Sequence, residues 1–318
     1  MKYVALCLGL GLVLALSCGR GRQQQPSIPS RAFPMAEVPM MIEDSQERLS
    51  WLAEHFWDAF TAPDSLYCCD SVTVNGVSGA DVEKQMGVYA TILQEVSPQT
   101  GERAMSHFFS RTEAFQKAHP SANVFSSLTA LCAKYFYDPN SPVRSEELYL
   151  PFVSGMAASP LVDTLTQRRY AREAAMCRLN RPGTPAADFR FIDTDGRART
   201  LYGIRARYTL LIFGNPDCKA CGEIAASLSE DPLLSSLVGQ GVLKVVDIFI
   251  DDDIDLWKAR LGSYPSDWIN GYDPSLIIRE DLLYHVRALP SLYLLDASKT
   301  VLLKDAPPEQ VFAALSSL

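Results

Sequence analysis

The chain has no excess of basic residues: 29 Lys and Arg stand against 37 Asp and Glu, for a formal net charge of −8. Nothing in it forms the basic stripe that neutralises a phosphate backbone, so nucleic acid is not an expected partner. Long apolar runs are scarce too. The only one lies between Tyr3 and Ser17, short of the ~20 residues that cross a bilayer. Eight cysteines in 318 residues are too few for a scaffold held together by disulfides. No internal repeat appears, and no His/Cys cluster has metal-ligand spacing, so the expected metal is none. Asp193-Thr-Asp-Gly196 starts like a calcium loop, but Ile204 stands where the closing Glu is needed, which leaves a turn. With 47% hydrophobic residues, 18 Gly and 20 Pro, collagen-like and disordered chains are excluded. The length suggests two domains, each able to bury a core.

What is present begins with Lys2 and a Leu-rich run ending Ala15-Leu16-Ser17-Cys18, which fits an export signal. Ala-Leu-Ser-Cys resembles a bacterial lipobox. That resemblance implies cleavage after residue 17, lipid on Cys18 and a membrane anchor on the periplasmic side. Gly19 stands where an Asp would signal retention in the inner membrane, so an outer-membrane anchor is expected. Residues 18–42 are polar and Pro-punctuated at their start and read as a flexible tether.

From 43 to 180 the apolar period is helical. Leu49, Leu52, Phe56 and Phe60 recur three and four residues apart. Further helices are expected near 78–93, 99–118, 124–137, 145–156 and 161–179, with Pro120, Pro139, Pro142 and Pro160 between them. This is an all-α bundle of about six helices. Trp51, Phe56, Trp57, Phe60, Phe108 and Phe109 are its expected core, while His55, His107 and His119 show no matched partners. Cys132 and Cys177 read as small buried hydrophobes, and Cys68-Cys69 as adjacent loop thiols.

Asn180-Arg-Pro-Gly-Thr-Pro185 marks a boundary, beyond which strands alternate with helices over 181–318. Strands are expected at 189–192, 200–201, 208–213, 242–250, 292–295 and 301–304, and helices at 219–229, 253–261 and 309–315. This alternation gives an α/β domain, a mixed central sheet flanked by helices. Asp251-Asp-Asp253 reads as a helix cap and solvated run rather than a metal site.

The sharpest motif is Phe213-Gly-Asn-Pro-Asp-Cys218-Lys-Ala-Cys221. A C-x-x-C on a strand-to-helix turn puts Cys218 at a helix N-terminus, where free N–H groups favour a thiolate. Cys221 follows one turn later on the same face, close enough to resolve a mixed disulfide. Zinc would need a second such pair, and a purely structural bond closing so short a loop adds little stability.

Together with Pro182-Gly-Thr-Pro-Ala-Ala-Asp-Phe189 and Leu289-Pro290-Ser-Leu-Tyr-Leu-Leu-Asp296, this motif resembles the thioredoxin-like family, in its exported, membrane-tethered branch of thiol–disulfide oxidoreductases. The helical half resembles the DUF5106 domain that precedes such domains in bacterial lipoproteins. The resemblance implies that Cys218 attacks, Cys221 resolves, Pro290 is a cis-proline and Leu289 offers its backbone to an extended substrate. It also implies exported proteins with thiols or disulfides as substrates, an electron donor or acceptor in the membrane, and no cofactor beyond the Cys218–Cys221 pair. A peroxiredoxin pattern fails, because Leu211 and Asn215 stand where that family has Pro and Ser or Thr.

Three departures bear on rate and direction. Asp217 replaces the family's Trp and disfavours a neighbouring thiolate, whereas Lys219 favours it. Lys-Ala between the cysteines lacks the usual proline. The proton-shuttling acid of relatives has no clear match, although Glu223 lies near its place. These departures keep a second reading in view: a non-enzymatic binding lipoprotein in which the pair is a structural or relic disulfide.

Overall fold

A computed structural model describes residues 30–64 and 67–317. The expected leader, the Cys18 lipid site and the start of the tether lie outside the described residues. The end of that tether is not free. Phe33 stacks on Phe60 at 5.3 Å and meets Trp57 edge-on at 5.4 Å, and the Arg31 amide donates to the Gly76 carbonyl at 2.8 Å. The Phe33 ring and the Arg31 backbone together dock it.

The N-terminal half is helical. Helix α1 spans Ser45–His55, α2 Gly79–Gln94, α3 Pro98–Ala118, α4 Val124–Cys132, α5 Glu146–Ala158 and α6 Thr164–Cys177. Asp44, Ser78, Ser97, Ser145 and Asp163 cap five of them by accepting from first-turn amides, as short polar side chains do. After α4 the chain widens into a π-type turn, Ala133–Tyr137. A small hairpin, β1 (Thr73–Val74) and β2 (Val77–Ser78), was not anticipated. Its turn is Asn75-Gly76, both at positive φ (46° and 81°), the geometry that Asn-Gly supplies to two-residue hairpins.

Phe56, Trp57, Phe60, Tyr89, Phe108 and Phe152 form a continuous aromatic core. Trp51 and Phe109 depart from expectation, both being only half-buried. Trp51 stacks on His55 at the surface, 4.5 Å between rings.

The C-terminal half is the thioredoxin-like α/β domain. Its strands are β3 (Arg190–Asp193), β4 (Ala198–Thr200), β5 (Tyr208–Gly214), β6 (Leu243–Phe249), β7 (Ile269–Tyr272), β8 (Ser291–Leu295) and β9 (Val301–Leu303). They form one sheet in the order β4-β3-β7-β6-β5-β8-β9. β5, β6 and β7 run parallel at its centre, and every other pairing is antiparallel. Helices α7 (Lys219–Glu230), α8 (Pro232–Gly239) and α10 (Pro308–Ser316) bury Leu228, Leu234, Val238, Val311 and Leu315 on one face. Connecting segments cover the other face with Phe189, Ile278 and Tyr284. A short α9 (Ile254–Ala259) sets Trp257 against Tyr272, 5.1 Å between rings.

Two elements of this half escaped the sequence reading as well. Strand β7, Ile-Asn-Gly-Tyr, lacks alternation because Gly271 must let β3 approach: a Cβ there would sit 2.7 Å from the Ile192 carbonyl. Helix α8 restarts at Asp231-Pro232, where Asp231 caps it.

Candidate active site

Strand β5 ends at Gly214, and the chain turns through Asn215-Pro-Asp into α7. Cys218 is the N-cap of that helix: its sulfur accepts from the Cys221 amide at 3.2 Å, while its own thiol points at the Leu289 carbonyl oxygen, 3.6 Å away. Both cysteines are free thiols and half-buried. Donors at a helix start stabilise negative charge that develops on a sulfur. Burial pushes the Cys221 thiol far above the ordinary range, and a hydrogen bond with Cys218 and the charges of Cys218 and Asp247 add to the rise. Its surroundings thus disfavour loss of the Cys221 proton.

Leu289 and Pro290 face this pair, and the peptide between them is cis. Beside them lies a cleft of about 200 Å³ whose walls include Ile250, Ile278, Leu282, Val286, Ala288 and Leu289. At its rim Asp251 pairs with Arg279 at 2.5 Å and accepts from Asn215 at 2.6 Å. Asp251 is thus part of the site's frame and not a solvated helix cap, a correction to the sequence reading. Asp253 does cap α9.

The charged neighbours are exposed and engaged in ion pairs. Asp217 is half-exposed and pairs with Arg260 at 3.1 Å, and Lys219 pairs with Glu223 at 3.2 Å, one turn along the exposed face of α7. Glu223 faces solvent, so it is not a buried proton carrier.

Sequence reasoning missed the acid that is buried. Asp247, on β6 in register with Ile212 of β5, is 5% exposed. Burial raises its carboxyl to about 7. Gly214 makes room for it, since a Cβ there would stand 3.1 Å from Asp247 Oδ1. The signal was a lone Asp in the apolar run Val245-Val-Asp247-Ile-Phe249, an expensive residue for a central strand.

Among its described residues the helical half contains one group of metal-ligand type, where the sequence suggested none. His55 Nδ1 lies 2.8 Å and His107 Nε2 2.7 Å from the two carboxylate oxygens of Asp58. Both oxygens are already engaged, and Arg111 Nε lies 3.4 Å away. Burial pushes the Asp58 carboxyl up, but hydrogen bonds from His55 and His107 and the charges of His107 and Arg111 bring it below the usual range. The group joins α3 to the turn after α1 with the protein's own donors.

Comparison with known proteins follows the same division. The model of the domain of unknown function DUF5106 matches residues 17–180. The crystal structure of a thioredoxin-like protein from Bacteroides caccae is 34% identical, with a TM-score of 0.79, covering 90% of this chain and 99% of that one. The C-terminal domain of a Bacteroides fragilis protein is 42% identical over 43% of this chain and 98% of its own, with a TM-score of 0.42. The thioredoxin domain of a Bacteroides vulgatus thiol-disulfide oxidoreductase is 17% identical over 43% and 96%, with a TM-score of 0.39. No curated protein matches the sequence.

Proposed function

Because the chain belongs to the DUF5106 family and carries a thioredoxin-like domain behind it, we propose that it is a thiol–disulfide oxidoreductase acting on exported proteins. The observation that carries this reading is the placement of Cys218. It caps α7 with Cys221 one turn behind it and the Leu289–Pro290 segment 3.6 Å in front.

In the reducing direction, the Cys218 thiolate attacks one sulfur of a substrate disulfide. A Cys218–substrate bond forms, the substrate S–S bond breaks, and the departing thiolate takes up a proton. Cys221 then loses its proton to Asp247 and attacks Cys218 Sγ. That step releases the second substrate thiolate and leaves a Cys218–Cys221 disulfide. Two electrons pass to the substrate, and a dithiol partner at the membrane must return them. The cysteine pair carries the electrons itself, so the scheme needs no bound cofactor. A carboxyl near 7 is matched to accepting a proton at neutral pH.

An extended peptide would lie along Leu289 and Pro290, with a side chain next to its cysteine in the apolar cleft. The lipobox-like Ala15-Leu16-Ser17-Cys18 supports a lipid anchor and a periplasmic location at the outer membrane. Metabolic labelling with a radioactive fatty acid, lost on Cys18→Ala, would test that anchor.

The deciding experiment is equilibration of residues 19–318 with glutathione or dithiothreitol. A potential near about −270 mV marks a reductant and one near about −120 mV an oxidant. A pair below about −300 mV that exchanges slowly marks a structural bond. That result would replace the enzyme with a binding lipoprotein.

A further inference from the structure

The segment that presents Leu289 has little structure of its own. From the end of β7 at Tyr272 to the start of β8 at Ser291 there is no helix or strand. Leu276 and Leu282 both stand at positive φ (53° and 52°). With few ladder hydrogen bonds, the position of Leu289 and Pro290 depends on side-chain contacts.

Several of those contacts come from the helical domain. His285 and Arg287, at alternate positions, meet one carboxylate of α5: Glu146 Oε1 lies 2.7 Å from His285 Nδ1 and 2.9 Å from Arg287 Nε. Glu146 Oε2 lies 2.6 Å from Lys304 Nζ, which also donates to the carbonyls of Cys177, the last residue of α6, and of Leu179 just beyond it. Arg287 reaches on to Asp305 at 2.7 Å, Asp305 accepts from Ser291 at 2.8 Å, and Arg144 stands 3.7 Å from Asp305. The Arg287 guanidinium lies over the ring of Tyr137, 4.7 Å from its centre, at the end of the π-type turn. Between the two anchored residues, Val286 lines the cleft beside the cysteine pair, as do Arg287 itself, Ala288 and Leu289.

This cluster is dry. Side-chain exposure is 2% for Glu146, 7% for Arg287 and 2% for Lys304. Burial alone would raise the Glu146 carboxyl, but close contact with His285 and the charges of Lys304, His285 and Arg287 hold it below its usual range. Among the described residues, Glu146 is the only carboxylate that touches both loop residues. Removing it would leave Arg287 and Lys304 buried with less compensation, which such clusters tolerate poorly.

We propose that the helical domain is the positioning element of the redox site. Glu146 holds His285 and Arg287, and through them Leu289 and Pro290, in place against Cys218. The domain thereby governs how a substrate disulfide is received, without touching the thiols. The consequence for activity rests on the oxidoreductase reading; the anchoring of the loop does not.

Two variants of the full chain test it, Glu146→Gln and the charge-balanced Glu146→Gln/Lys304→Met. Amide exchange over residues 283–290 should accelerate by about tenfold or more in both. Reduction of insulin disulfides should fall by about fivefold or more, mainly through KM, while alkylation of Cys218 by iodoacetamide stays within about twofold. Glu146→Asp should restore part of the loss. Unchanged exchange in a folded variant would overturn the proposal, as would an equal loss in alkylation. If both variants fail to fold, Glu146 is a structural residue and the proposal is likewise overturned. Wild-type protein that leaves insulin intact counts against the oxidoreductase reading, and loop exchange then decides the anchoring alone.

Discussion

The Cys218 thiol and the Leu289 carbonyl oxygen stand 3.6 Å apart across 71 residues of sequence. This contact brings the start of α7 to the segment before β8, and with it the Cys218 thiol to a backbone acceptor. A substrate peptide entering here would exchange one sulfur contact for another. The site's chemistry depends on that juxtaposition, and four further expectations follow from it and from its surroundings.

Cys218→Ser should abolish disulfide exchange. Cys221→Ser should instead trap a Cys218–substrate mixed disulfide, visible as a covalent adduct on a non-reducing gel. An adduct on Cys221 in the Cys218→Ser variant would reverse the assigned roles.

Asp247→Asn should act on rate and stability together. In the wild type the rate of exchange should rise through an inflection near 7. The variant should lose that inflection and about a hundredfold in rate at neutral pH. For stability the sign is set by burial. The folded carboxyl, near 7, binds its proton more tightly than the ordinary value of 3.8. This group therefore costs nothing below about pH 4, costs progressively more as the pH rises to 7, and reaches a plateau of about 4 kcal/mol above it. Denaturant melts of the two proteins at pH 4 and pH 8 should show the variant gaining relative stability at the higher pH.

Lys219 and Glu223 form an exposed pair, and such pairs contribute about 0–1 kcal/mol. Lys219→Ala and Glu223→Ala should each change the exchange rate by less than about threefold. A loss as large as that of Asp247→Asn would return the proton-carrier role to Glu223.

Gly271→Ala tests the sheet. Its new methyl would meet the Ile192 carbonyl at 2.7 Å and the Phe191 ring at 2.6 Å. A backbone oxygen in a paired strand cannot swing aside, so a loss of about 1–3 kcal/mol is expected, measurable as a lower urea midpoint. Ala introduced at Gly222, where nothing lies within 4 Å, serves as the control.

Much of this protein was legible as a sequence because its signals are local. A helical period up to residue 180 and alternating strands after it express which faces must be buried. The C-x-x-C announces itself because strand, turn and helix cap are all written within nine residues of chain, Phe213 to Cys221. Leu289-Pro290 stood out through the resemblance, but composition could not show which face of the fold it meets.

Other features needed the fold. Asp247 drew no reading from the sequence, and its place becomes plain only where β6 lies beside β5 and Gly214 leaves space for its carboxyl. Glu223 had the right position in sequence but lies on the solvent side of α7, a matter of helix rotation that spacing alone does not settle. His55 and His107 gained a shared partner only when α3 packed against the segment following α1. Glu146 is by sequence one of two acids in the first turn of α5, yet it faces His285, Arg287 and Lys304 from another domain. Sequence determines what each segment wants to bury, because that is a property of neighbouring residues. Only the tertiary structure decides which buried charges meet, because Coulomb and hydrogen-bond partners are chosen in space.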